Sequence, residues 1–164
     1  MLRKILAAAV LPLVLAGAAA AQGKTSNRIA EIRAHLVYEE NGLLSRDILK
    51  GDFTLWNAII GEGDSEGHAS STLVFVVVET DGKPRGATPV LRFSAVSEDG
   101  KRVKYDKTFA YIFPNEGAGR VFVPFLLHDT GCQKIRLTAR LVAYNNPKQI
   151  YQTVAKEIPF ACGE

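Results

Sequence analysis

The stretch Lys134 to Ile158, KIRLTARLVAYNNPKQIYQTVAKEI, decides the fold. Ile135, Leu137, Ala139 and Leu141 alternate with Lys134, Arg136, Thr138 and Arg140. A period of two places the first set on the inner face of a β-strand and the second on its wet face. Asn145-Asn146-Pro147-Lys148 then turns the chain. Ile150, Val154, Ile158 and Phe160 form the returning apolar face, interrupted by Gln152 and Lys156. Matching the two inward faces pairs residues whose numbers sum to 293, such as Ile135 with Ile158 and Ala139 with Val154. The same register sets Arg136 opposite Glu157, a favourable cross-strand pair.

Two cysteines flank this hairpin, Cys132 and Cys162, and their numbers sum to 294. They lie at its open end, one residue out of step. A bulge near Pro159 is expected to reconcile the two. In an exported chain the default for such a pair is a disulfide.

Upstream, the same short-strand pattern continues. Arg120 to Leu127, RVFVPFLL, reads as a strand, with Pro124 marking an edge position or a bulge. Pro114 to Gly119 reads as a loop. Val90 to Ser97 and the alternating Val103, Tyr105, Lys107 and Phe109 read as a hairpin turning at Asp99-Gly100. Thr72 to Thr80, TLVFVVVET, is apolar on both faces and should be central in its sheet. Phe53 to Ile60 reads as a further strand, with Trp56 in the core. Leu43 to Lys50 has room for one helical turn or a short helix. Ala30, Ile32, Ala34, Leu36 and Tyr38 are the inward face of the first strand, which leaves His35 on its polar face. Leu36, Leu55, Phe75, Phe93, Leu137 and Val154 are expected in one core.

Eight candidate strands with Gly, Asn and Asp turns specify an all-β, antiparallel two-sheet β-sandwich. Asp129-Thr130-Gly131, followed by an alternating strand and a terminal hairpin, resembles the corner before the penultimate strand of immunoglobulin-like domains. The corner tyrosine and the intersheet cysteine pair of that family are absent. The resemblance implies an immunoglobulin-like architecture of seven to eight strands and nothing about activity.

The chain has 164 residues. It opens with Arg3-Lys4, an apolar run from Ile5 to Leu15, and small residues that include Ala19 and Ala21. Charged start, short apolar run and A-x-A site predict a signal peptide over residues 1–21. The single domain is then 22–164, and 164 − 21 leaves 143 residues, enough to bury a sizeable core. Without Arg3 and Lys4 the 20 basic residues become 18 against 17 acidic, a net charge of +1. That balance argues against a nucleic-acid binder, which would show a basic stripe. No transmembrane segment is expected in the mature chain, because no second apolar run reaches the required length of about 20 residues.

The most chemically suggestive stretch is Ile60 to Ser71, IGEGDSEGHASS. Glu62, Asp64 and Glu66 alternate, and Gly67 and His68 follow. The acids and Gly67 match positions 1, 3, 5 and 6 of a calcium loop, but Leu73 stands where the bidentate glutamate is needed. A copper or zinc site on His68 needs ligands that only the distant His35 and His128 could add. His128 and Cys132 lack the second histidine and the methionine of a copper centre. Asp64, Ser65, His68 and Ser70 hold the residue types of a serine triad, without a G-x-S-x-G elbow. The expectation is an exposed, mobile connection, with Glu62, Asp64, Glu66 and His68 as a possible contact loop and neither metal nor cofactor. Its like charges should extend it by repulsion.

The functional expectation is therefore a periplasmic or secreted, non-enzymatic β-sandwich that binds or supports an envelope protein or glycan. The alternatives are a loop-built hydrolase or carbohydrate-active enzyme, and a calcium-stabilised β domain.

Overall fold

The computed structural model describes residues 27–83, 89–101, 104–110 and 118–163. The expected signal peptide, Val103 and most of the Pro114–Gly119 loop lie outside the described residues.

Among the described residues, seven strands form two antiparallel sheets. In chain order they are β1 (Asn27–Val37), β2 (Ser71–Thr80), β3 (Pro89–Ser97), β4 (Lys104–Phe109), β5 (Gly119–Leu127), β6 (Ile135–Ala143) and β7 (Asn146–Ile158). One sheet has the order β1-β2-β5 and the other β4-β3-β6-β7. The chain changes sheet after β2, after β4 and after β5, giving the immunoglobulin-like β-sandwich expected above.

The terminal hairpin keeps the expected register from Ile135–Ile158 to Leu141–Gln152. Beyond it the register shifts, because Val142 pairs with Ile150 and leaves Tyr151 as an extra residue. One added residue reverses the alternation. Tyr151 is therefore buried, and Ile150 is exposed instead of lying on the inner face. The turn itself is Tyr144-Asn145, tighter than the four-residue turn expected, and Ala143 pairs directly with Asn146.

Gln152, the polar interruption of that inner face, has a partner across the sandwich. Its Nε2 donates to the Ile29 carbonyl at 3.0 Å, and its Oε1 accepts from the Ile29 N–H at 2.8 Å. Those groups sit where β1 shifts register between Ile29 and Glu31. The same shift buries Ile29 and leaves Ala30 only half-buried, one step off the alternation that Ile32, Ala34, Leu36 and Tyr38 keep.

Between the sheets Phe93 stacks on Phe125, with centroids 4.1 Å apart, and Tyr105 and Phe109 meet the same ring edge-on. Leu36, Leu55, Phe93 and Leu137 are in this core, and Val154 packs against it. Phe75 is not. The pairs Leu36–Thr72 and Ala34–Val74 put the even-numbered residues of β2 inside, so Phe75 faces outward. β2 is central in its sheet, and β5, with Pro124, is an edge strand. The β2–β5 ladder runs unbroken through Pro124 from Thr72–Leu127 to Thr80–Gly119. A proline can sit there only with its ring nitrogen toward the open edge.

Phe53 to Ile60 is not a strand. Leu55 is buried, but the rest is irregular and ends in a single 3₁₀ turn, Ala58–Ile60, flanked by Asn57 and Gly61 in left-handed conformations. Trp56 is 46% exposed rather than in the core, and bridges Ala161. Leu43–Lys50 forms turns and one bridge, Val37–Leu44, in place of a helical turn.

Candidate binding surfaces

Alternating strand directions bring the 38–70 connection, the β3–β4 turn, the β5–β6 corner and the tail after Ile158 to one end of the sandwich. Cys132 and Cys162 meet there, with Cα atoms 4.8 Å apart, as a disulfide. No bulge is needed at Pro159. The β7 ladder simply ends at Ile158, and the tail leaves β6 to pair with the 55–57 segment. Ala161 N–H donates to the Leu55 carbonyl at 3.0 Å, and Asn57 N–H donates to the Ala161 carbonyl at 2.8 Å.

The acidic loop is exposed at Glu62, Asp64, Glu66 and His68, but it is pinned rather than spread by repulsion. The Asp64 carboxylate accepts from Thr54 N–H at 2.6 Å, and Asp64 N–H donates back to the Thr54 carbonyl at 3.0 Å. The bond from Thr54 N–H holds the Asp64 carboxyl below the usual carboxylate range. Glu62 accepts from the Asn57 amide at 2.6 Å. Glu66 N–H reaches the Tyr38 hydroxyl at 3.2 Å. His68 N–H donates to Glu40 Oε1 at 3.1 Å, which lowers the Glu40 pKa in the same way. Repulsion between like charges in water is weak compared with several such charge-assisted bonds.

The triad residue types are not assembled. Ser70 bonds to Glu39, Ser65 to the Gly67 carbonyl, and the His68 ring faces Glu40 at 3.5 Å. His128 instead meets Ser71, with Nδ1 and Oγ 3.2 Å apart, and Cys132 is taken by the disulfide. His35 packs edge-on against Phe75, with Nδ1 2.8 Å from the Ser45 carbonyl. Among the described residues, no three His, Cys, Asp or Glu side chains group so as to hold a metal ion. No described helix is long and apolar enough to cross a membrane.

Behind the loop lies a cleft of about 470 Å³, lined by Ile59, Ser97, Lys101, Asp129, Thr130 and Gln133 among others. Its wall is the Asp129-Thr130-Gly131 corner. Thr130 is buried, its N–H donates to the Ser70 carbonyl at 2.9 Å, and its hydroxyl meets that of Thr72 at 2.8 Å. Gly131 has φ +118, and a Cβ there would stand 2.5 Å from Ile59 Cγ2. Asp129 takes a left-handed conformation, φ 54, uncommon for a residue with a side chain. In sequence this corner carried only a fold signal. Its joining with Ser97, Lys101 and Gln133 depends on strand pairing and had no local signature.

A second surface is the outer face of β1-β2-β5. Phe122 is 48% and Leu126 42% exposed, beside half-buried Leu73 and Phe75 and exposed Pro124. Phe75 meets Phe122 edge-on at 6.5 Å, and the Arg33 guanidinium lies 5.7 Å from the Phe122 centroid. Ion pairs border the row: Glu31 with Arg33, and Glu79 with both Arg28 and Arg120. The sequence hid this face, because an apolar strand shows neither which side is inside nor what flanks it.

No family model matches the chain, and no curated protein matches it. Among solved structures it is similar to Bifidobacterium dentium β-glucuronidase complexed with coumarin-3-O-glucuronide, at TM-score 0.43 and 13% identity over 82% of this chain and 18% of that one. It is also similar to a putative β-galactosidase from Bacteroides fragilis, at TM-score 0.38 and 15% identity over 54% of this chain and 14% of that one. The chain thus spans under a fifth of either enzyme chain, and no residue role is carried over from them.

Proposed function

We infer that this is an exported, non-enzymatic β-sandwich module of the bacterial envelope that docks on a protein partner through the outer face of β1-β2-β5. The observation that carries the reading is the row of Leu73, Phe75, Phe122, Pro124 and Leu126, apolar in the middle and bordered by ion pairs along β1 and at its Glu79 end. An apolar centre with aromatic anchors and a polar rim is the anatomy of a protein–protein interface. Export is supported by Arg3-Lys4, the apolar run and the Ala19-x-Ala21 site. The Cys132–Cys162 pair fits an oxidising compartment.

The test is capture of partners from an envelope extract on immobilised mature protein. A specific polypeptide should bind wild type and be lost from Phe122→Ser/Leu126→Ser protein. It should persist when residues 62–68 are replaced by Gly/Ser. Retention by the double variant would remove the outer face as the docking site. Intact mass of the exported chain should begin near Gln22, and a product that keeps Met1 to Leu15 would remove export by signal cleavage.

A further inference from the structure

The outer face of β1-β2-β5 has an order along its strands that points to the kind of segment lying on it. Its first row across the sheet is Arg28, Glu79 and Arg120. Two guanidiniums share one carboxylate there, which leaves the row at net +1. The Glu79 side chain is only 15% exposed, whereas those of Arg28 and Arg120 are 67% and 59% exposed. A guanidinium has several N–H donors in a planar fork, so both arginines keep donors free for a second carboxylate. Apolar pairs follow in three rows, Val77–Phe122, Phe75–Pro124 and Leu73–Leu126. Beside them β1 carries Glu31, Arg33 and His35. Beyond Leu126, Ser71 meets His128, and exposed Glu39 accepts from Ser70 N–H at 3.1 Å. From one end to the other the face runs base, apolar block, acid.

The dimensions choose the occupant. Strands lie about 4.8 Å apart, so an apolar block two strands wide measures about 10 Å, the width of one α-helix. The charged β1 column stops that block from widening into the flat face that a partner sheet would need. Arg33, with its guanidinium 5.7 Å from the Phe122 centroid, is the wall on that side. Rows repeat about every 6.7 Å along the strands, close to the separation of about 5–6 Å between side chains one turn apart on a helix. Pro124 opposes the other mode of docking, addition of a strand, because it denies the open edge of β5 a donor at its middle. From Arg120 to His128 the face is about 27 Å long, which matches a helix of about 18 residues.

We propose that the partner occupies this face with one amphipathic α-helix laid along β2 and β5. Its apolar stripe covers Phe75, Phe122 and Leu126, a carboxylate at one end lies between Arg28 and Arg120, and a basic residue at the other end faces Glu39. This rests on the outer face being the docking site, and adds the class and direction of the docked segment.

The probes are three synthetic peptides of about 18 residues. The first has leucines at the helical period, glutamates at one end and lysines at the other. The second keeps the leucines and carries lysines at both ends. The third has the composition of the first with its leucines at alternate positions, as in a strand. Each is titrated into isotope-labelled mature protein and followed by amide NMR. The first should give saturable shifts at residues 71–77 and 120–128 and gain helical circular dichroism on binding. The second should bind at least tenfold more weakly, and the third should not bind. Arg28→Gln/Arg120→Gln should reduce the first peptide to the affinity of the second, and Phe122→Ser/Leu126→Ser should abolish its binding. If the double arginine variant does not fold, Arg120→Gln alone should weaken binding severalfold. Four outcomes overturn the proposal: no saturable shift with the first peptide, equal binding of the second, binding of the third, or undiminished binding by the arginine variant. Phosphatidylglycerol vesicles that bind through Phe122 and Leu126 while the first peptide does not would assign the face to a membrane surface instead. An envelope polypeptide captured through Phe122 and Leu126, and still captured by Arg28→Gln/Arg120→Gln protein, would overturn the acid-ended helix and leave the docking reading standing.

Discussion

Gly63 shows how much of the 38–70 connection rests on single residues. It has φ +70, and a Cβ would stand 2.5 Å from the Thr54 carbonyl oxygen, a backbone atom with nowhere to go. That contact is what lets Asp64 and Thr54 exchange two hydrogen bonds. Gly63→Ala is expected to cost about 1–3 kcal/mol from the strained backbone, read as a lower urea midpoint. A loss below about 0.5 kcal/mol, the size of an ordinary surface change, would show that the loop does not depend on this approach. The Asp64 and Glu40 carboxyls carry a pH dependence. Both have lowered pKa values when folded, so the unfolded chain binds more protons. Their contribution is complete above the unfolded carboxylate pKa, about 4, and is lost as pH falls below it. Exchange at the Thr54 and His68 amides should speed up beyond the intrinsic trend as pH falls below about 4, while core amides of β6 stay protected. Unchanged protection of Thr54 and His68 would contradict the pinned loop. The sequence marks Glu62, Asp64 and Glu66 as a group but does not show their partners, because Thr54, Asn57 and Tyr38 reach them only through the folded path of the connection.

At the scale of elements, β6 and the half of β7 from Gln152 to Ile158 were legible from polarity alone. Ile135 to Leu141 alternates, and its register with Gln152 to Ile158 follows from matching the inward faces. β2 is the opposite case. Leu73, Phe75 and Val77 are as apolar as Val74, Val76 and Val78, so nothing local says which row is inside. Pairing with the amphipathic β1 decided it, and placed Phe75 on the outer face. Phe53 to Ile60 failed for another reason. Its apolar residues satisfy a strand pattern, yet Asn57 and Gly61 take left-handed conformations and the backbone pairs with the tail at Ala161. β5 yields a prediction. Edge strands invite pairing with other chains, and Pro124 denies the open edge a donor in the middle of an otherwise apolar run. Pro124→Val should leave the monomer folded and raise concentration-dependent association, measured by light scattering or analytical ultracentrifugation. A variant that stays monomeric at the same concentrations would show that Pro124 does not guard this edge.

At the scale of the whole molecule, the disulfide joins the β5–β6 corner to the tail, and the tail in turn covers the 55–57 segment. The bridge closes a separation of 30 residues. By chain entropy that stabilises by roughly 3–4 kcal/mol, or a melting shift of roughly 10 °C for a domain of this size. Trp56 is the only tryptophan and lies against Gly163, where a Cβ would meet its ring at 2.9 Å. Reduction should therefore lower the melting temperature and also red-shift the native emission of Trp56 as the tail loosens. A lower melting temperature with unchanged emission would mean that the tail holds without the bridge. The sequence by itself determined the strands whose two faces differ in polarity, the β6–β7 register, the cysteine pairing and the sandwich class. Each of these follows from side-chain alternation, which is set by the residues of one strand and its hairpin neighbour. Only the tertiary structure decided the inner face of β2, the irregular path of Phe53 to Ile60, the exposed row around Phe122 and the cleft beside Asp129. Those depend on which distant segments come to lie together, and a local pattern carries no information about a neighbour that is remote in the chain.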